Sequence, residues 1–164
     1  MIEKWNIEIN EKIYKKLLII GMIVMIAYVL ITFLYFSVPR IYRMNPNTKI
    51  DMTGSVKNGV NLLKRGKATL EISAWAYREG QSVQTCKSCL ILKSQETGRM
   101  YQLQTDIKEV PELQVVEGKY DCLQSGIYAK SIVLGLKDGN YDLLILYQND
   151  QENVLVNTEV VVEI

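Results

Sequence analysis

The chain has no histidine. That removes Ser-His-Asp and Cys-His catalysis and every histidine-ligated metal site. It also has almost no net charge: Lys+Arg 19 against Asp+Glu 18, a formal +1. Residues 1–16 account for that excess, with Lys4, Lys12, Lys15 and Lys16 facing Glu3, Glu8 and Glu11, so the rest of the chain is close to neutral. A neutral domain lacks the basic footprint that nucleic acid requires, and no nucleic-acid partner is expected. No glycine-rich loop opens a helix, so nucleotide binding is unsupported. No cofactor and no metal are expected.

What the sequence does have is one long hydrophobic run. Residues 17–37, LLIIGMIVMIAYVLITFLYFS, carry no charge, and thirteen of them are Leu, Ile, Val or Phe. At about 1.5 Å per residue, a helix of this length crosses a hydrocarbon core of roughly 30 Å. On an insertion scale the thirteen contribute roughly −4 to −8 kcal/mol. Trp5 and Tyr14 precede the run, and Tyr35, Phe36 and Tyr42 close it, as an interfacial belt does. A cleaved signal peptide is the rival reading. Its apolar region is usually about 7–15 residues, and the exit YFSVPR offers no A-x-A-like site, so an uncleaved signal anchor in the plasma membrane is expected. Lys4, Lys12, Lys15 and Lys16 against Arg40, Arg43 and Lys49 give a slight positive-inside bias. The expected order is a cytoplasmic tail (1–16), a single-pass helix in the lipid bilayer (17–37), a linker (38–48) and an extracytoplasmic domain (49–164).

The linker VPRIYRMNPNT holds Pro39 and Pro46 with Asn45 and Asn47, which disfavour helix and favour turns. Beyond it the period changes to two. In residues 68–77, ATLEISAWAY, Leu70, Ile72, Ala74 and Ala76 share one face; Thr69, Glu71, Ser73, Trp75 and Tyr77 share the other. Either a bulge turns the end of this strand inward, or two aromatics lie on a surface. Further strands are expected near residues 50–56, 86–93, 101–105, 128–136, 141–147 and 154–162, separated by turns such as Lys137-Asp138-Gly139-Asn140. Residues 106–126 are expected to be irregular. Roughly seven short strands without a helical pattern predict an all-β domain, an immunoglobulin-like antiparallel β-sandwich. Tyr141, just after the Asp138-Gly139 turn, stands where such a fold places a tyrosine corner, with a core tyrosine of any hairpin as the alternative.

Candidate chemistry is sparse. Cys86-Lys87-Ser88-Cys89 has C-x-x-C spacing but enters a strand, whereas redox motifs sit at helix starts. Outside the membrane a disulfide is the better reading: Cys122 with Cys86 or with Cys89, or all three thiols unpaired. Asp106, Glu109, Glu112, Glu117 and Asp121 read as loop carboxylates, though pairing in space is invisible to sequence. Trp75, Tyr77, Tyr101, Tyr120 and Tyr128 are candidate ligand-facing aromatics, able to stack on sugars, or half-buried sheet residues.

AWAYREG at residues 74–80 and QSGIYAKSIVLGLKDGNYDLLI at residues 124–145 resemble a β-sandwich module of bacterial envelope-glycan proteins. That module has a Gly-Trp-Ala strand, a Ser-Gly-Phe segment and a Leu-x-x-Gly-x-Tyr hairpin, and it is often appended to glycosyltransferases and polysaccharide-assembly proteins. The likeness covers roughly residues 68–164. Ala74 stands for the Gly and Ile127 for the Phe, and the module's Arg-Asp-Val has no clear counterpart. The resemblance implies an Ig-like fold and a link to surface polysaccharide assembly. The expectation is therefore a non-enzymatic accessory or interaction module at the cell envelope, with a membrane or envelope protein as partner. The alternative is a glycan- or ligand-binding sensor; a weaker one is a hydrolase with unrecognised carboxylates. Exposed clustered aromatics favour glycan, a flat apolar patch favours a protein, and a cleft with two facing carboxylates favours the enzyme.

Overall fold

A computed structural model describes residues 11–83, 87–113, 120–149 and 152–164. It falls into two compact units, Met1–Phe36 and Ser37–Ile164. In the first, helix α1 spans Glu11–Ser37. Its apolar side chains point outward all round, Tyr28 69% and Ile31 67% exposed. A helix without a polar face has nothing to offer water. Over Ile13–Ser37 it is long and apolar enough to cross a membrane.

The second unit is built from two sheets. Strands β1 (Arg40–Tyr42), β2 (Lys49–Ile50), β5 (Cys89–Ser94), β6 (Met100–Gln102), β9 (Asn140–Gln148) and β10 (Asn153–Glu163) form one, in the order β1-β6-β5-β9-β10-β2. Strands β3 (Val56–Arg65), β4 (Thr69–Arg78), β7 (Thr105–Lys108) and β8 (Gly126–Ile132) form the other, in the order β3-β4-β8-β7. Every pairing is antiparallel except β2 with β10.

The period-two pattern decides which side of each strand is buried. Leu70, Ile72, Ala74 and Ala76 of β4 meet Ile127 and Ala129 of β8. Across from them, in the same core, lie Leu90 and Leu92, Leu143, Ile145 and Tyr147, and Val154 and Val156. Each fully buried Leu or Ile contributes about 1.5–3 kcal/mol over an exposed one. Tyr141 belongs to this core at 2% exposure; its hydroxyl donates to the Lys137 carbonyl at 2.8 Å, and its ring meets Tyr101 edge-on. Burial pushes its phenol above the usual value, as does the nearby Tyr101. An ion pair between Arg78 and Glu152 ties the end of β4 to the turn after β9.

Three expectations need correction. A strand over residues 56–65 was not anticipated, because Gly54 and Gly59 break the pattern; Gly59 is accommodated by its cross-strand partner, and a register shift between Val60 and Leu62 absorbs the irregularity. Residues 106–108, expected in an irregular stretch, belong to β7 on the edge of the smaller sheet. Residues 38–48 are not a free linker. β1 pairs with β6 at one edge of the six-stranded sheet and β2 with β10 at the other, so residues 43–48 pass between the two edges. The inward face is filled by the core, and Tyr42 packs on the outward cluster of Cys89, Ile91, Leu144, Leu146 and Leu155. The segment therefore runs over the outward face. Thr48 is 8% exposed and its N–H donates to the Asn45 carbonyl.

Where the segment leaves the sheet, Asp51 folds the chain into β3. Its carboxylate accepts the N–H groups of Thr53 and Val56 at 3.0 and 2.9 Å and the Thr53 hydroxyl at 2.9 Å. Burial alone raises its pKa, but these bonds outweigh it and hold the carboxyl at about 2.

Candidate functional site

The burial of Leu70, Ile72, Ala74 and Ala76 forces Glu71, Ser73, Trp75 and Tyr77 onto the outward face of the smaller sheet. Register then fixes their neighbours. β3 sets Lys57 beside Tyr77, Gly59 beside Trp75 and Leu62 beside Ser73. β8 sets Tyr128 beside Ser73 and Lys130 beside Glu71, and β7 sets Asp106 beside Tyr128. The result is a face with a pair of aromatics near one end and charged and amide groups around them.

Trp75 and Tyr77 are stacked, ring centroids 5.6 Å apart and planes 20° from parallel. This offset arrangement is the one that ring quadrupoles favour. The indole lies against Gly59, where a Cβ would come within 2.7 Å of its ring atoms, so only glycine leaves room for it. Its Nε1 donates to Asn61 Oδ1 at 3.2 Å, which fixes its turn about the side-chain axis. Both rings remain partly exposed, and Lys57, Asn61 and Leu62 beside them are exposed. Lys57 pairs with Glu79 at 3.4 Å.

Tyr128 belongs to the same face but is otherwise employed. Its hydroxyl donates to Glu71 Oε1 at 2.7 Å, and the Lys108 ammonium sits 3.7 Å from its ring centre. The bond to Glu71 pushes the phenol pKa up, with desolvation and the charges of Glu71 and Asp106 acting the same way. One side of this ring is occupied by a cation, so it frames the stacked pair rather than extending it. β7 reaches this position because Gly126 lies opposite Lys108; a Cβ at Gly126 would run into the Lys108 carbonyl and Val110.

Of the five candidate aromatics, the structure brings Trp75, Tyr77 and Tyr128 together. Tyr101 lies apart from them: it opposes Leu92, packs against the core beside Tyr141, and lines a recess with Ser94, Arg99 and Lys137. Tyr120 is half-buried beyond the end of β4, with its hydroxyl near Gly80. Among the carboxylates, Glu71 is engaged by Tyr128; Glu109 accepts from Gln124 and Asp121 from the Leu123 N–H. Glu117 lies outside the described residues. Among the described residues no three His, Cys, Asp or Glu side chains gather around a possible metal position.

The thiols fall elsewhere. Cys122 is fully buried and its Sγ donates to the Gln81 carbonyl at 3.6 Å; burial pushes its pKa up, and Asp121 adds to this. Its thiol is not bonded to Cys89, which lies under the segment crossing the larger sheet. The other expected pairing, through Cys86, lies outside the described residues.

Asn61 and Lys108 were not singled out from the sequence, and Gly59 read only as a break in a strand. The available signal was the pair Trp75 and Tyr77 on the polar side of a period-two strand. Of the two explanations for it, surface aromatics is the one realised, and the irregularity sits on β3 instead.

Compared with protein-family models, with curated proteins and with solved structures, the chain matches none.

Proposed function

We propose that this chain is a membrane-anchored, non-enzymatic module of the cell envelope whose four-stranded sheet binds glycan through Trp75 and Tyr77. The observation that carries the reading is the stacked, partly exposed Trp75–Tyr77 pair seated on Gly59 and bordered by Asn61, Lys57 and Ser73. Aromatic faces take the C–H side of a sugar ring, and the bordering amide, ammonium and hydroxyl groups serve its hydroxyls. The rings are held before any ligand arrives, which lowers the ordering cost of binding.

The wider setting is part of the same proposal. α1 is the anchor, with the tail before it cytoplasmic and the domain outside. The domain is an immunoglobulin-like sandwich in which Tyr141, buried and bonded to a backbone carbonyl four residues upstream, is the corner residue. Support comes from the two sheets around one core and from the resemblance to a polysaccharide-associated module.

The test is binding of the full chain in nanodiscs to an array of bacterial envelope glycans. Wild type is expected to retain one or more polysaccharides, and Trp75→Ala and Tyr77→Ala to lose them while remaining folded. Retention by both variants, or no glycan bound by wild type, overturns the reading. Protease added to intact cells checks topology: residues after Ser37 are expected to be removed and the N-terminus spared.

A further inference from the structure

We infer that residues 39–51 form a detachable clasp, which opens as one unit ahead of the domain's core and uncovers the outward face of the larger sheet. The inference concerns a different face from the glycan site, and it rests on the anchored reading only for the source of force.

The geometry leaves the clasp no slack. β1 runs antiparallel to β6, and three further antiparallel pairings lead to β10, so β1 and β10 run the same way; β2 is parallel to β10. A connection between parallel strands must return over a face, here from the finish of β1 to the start of β2. Five interstrand spacings of about 4.8 Å separate the two strands, roughly 24 Å. Tyr42 to Lys49 is seven Cα steps, at most about 25 Å when fully extended. The turn at Asn45–Thr48 brings the reach below that flat-sheet span, so both ends can pair only where the twist of the sheet brings its edges closer together. The segment is thus drawn tight across the sheet.

Its strand pairings are short. β1 pairs through three residues, β2 through two, with Asp51 N–H donating to the Leu155 carbonyl. Beneath lie Ile91 at 0% exposure, Cys89 and Leu146 at 4%, Leu155 at 5% and Leu144 at 6%. Only Val38 and Pro39 separate β1 from the last residue of α1. A pull on the helix therefore reaches β1 first, and loss of β1 slackens the segment over the apolar cluster. Elements held by few pairings open at lower free energy than the strands at the centre of a sheet.

Hydrogen exchange on the full chain in nanodiscs tests this. In wild type, the hydrogen-bonded amides of Arg40–Tyr42 and Lys49–Asp51 are expected to share one exchange rate, at least about tenfold faster than those of Leu143–Leu146. Deleting the exposed residues Arg43 and Met44 leaves five Cα steps, about 18 Å, too few to join both edges. This deletion is expected to speed exchange at one of the two end strands about tenfold or more and to increase binding of an apolar dye. Inserting four Gly/Ser residues after Arg43 of the wild-type chain adds slack and is expected to leave both strands paired. The inference is overturned if the deletion leaves both ends protected, or if the wild-type end strands exchange as slowly as Leu143–Leu146. The wild-type arm decides even if the deletion variant does not fold. A wrong assignment of the glycan face or of the membrane topology alters none of these rates, so the two failures are distinguishable.

Discussion

The larger sheet turns Cys89, Ile91, Leu144, Leu146 and Leu155 away from the shared core and packs Tyr42 and Met100 against them, where the segment joining its two edges begins. The smaller sheet turns Trp75, Tyr77 and Tyr128 away from the same core and leaves the first two partly exposed beside Lys57, Asn61 and Leu62. Both outward faces are rich in large side chains, yet only the aliphatic one is treated as core. Aliphatic groups gain from exclusion of water alone. An indole and a phenol can keep a polar contact and still offer a ring face. The difference between the faces is thus chemical, and it can be broken from either side.

The largest expected effect comes from the covered face. Ile91→Ala removes a fully buried side chain beneath the crossing segment and is expected to cost about 2–5 kcal/mol, measured by denaturant unfolding. Tyr77→Ala on the other face is expected to cost under about 1 kcal/mol. Equal costs would show that the two faces do not differ as described.

Gly59→Ala sharpens the second half of the comparison. The added methyl meets the Trp75 indole, so the ring must lift or β3 must shift. Overpacking of this kind costs about 1–3 kcal/mol, and the indole emission is expected to move to longer wavelength as Trp75 leaves its seat. An unchanged spectrum in a Trp5→Phe background would mean that Gly59 does not position the ring.

Tyr141→Phe probes the core both faces enclose. It loses the bond to the Lys137 carbonyl and leaves the packing in place, an expected loss of about 0.5–1.5 kcal/mol in chemical denaturation. The figure is at the low end because Lys137 is exposed, so water can reach the freed region. A midpoint identical to wild type would remove the bond from the account.

A separate effect is acid dependence at the exit of the crossing segment. Asp51 has a folded pKa of about 2 against the ordinary 3.8. A depressed carboxylate stabilises above its unfolded value, and that contribution fades as pH falls from about 4 through about 2. Asp51→Asn is expected to flatten this part of the stability profile. A slope equal to wild type would assign the acid response to other groups.

The two faces were unequally legible from sequence. The buried side of β4 and the outward placement of Trp75 and Tyr77 follow from alternation alone, since one period fixes both. The uncharged run over residues 17–37 likewise gave its helix directly, Glu11–Ser37 extending it by only a turn or two. The covered face was hidden, because CLILKS and YDLLILYQ are apolar on both sides of their strands, and such runs do not say what lies over the second side. Pro39, Asn45 and Pro46 read as a spacer for a local reason, whereas the pairing that makes residues 38–48 part of the sheet is long-range: Tyr42 with Met100, Lys49 with Val154. Tyr101 could not be assigned to either side of its sheet because its short strand gives too little alternation to orient it. Gly59 and Asn61 matter through Trp75, fourteen or more residues away, and a turn-and-break reading of glycine has no access to that contact.

Tryptophan emission in a Trp5→Phe background tests the central claim most directly, because Trp75 is then the sole indole. Titration of the full chain in nanodiscs with envelope polysaccharide fragments is expected to give a saturable change in Trp75 emission. Tyr77→Ala is expected to weaken that response about tenfold, while Tyr101→Phe, on the core side of the other sheet, leaves it intact. A response that survives Tyr77→Ala at full affinity, or no response to any fragment, would contradict the assignment of the Trp75 face as the glycan-binding surface.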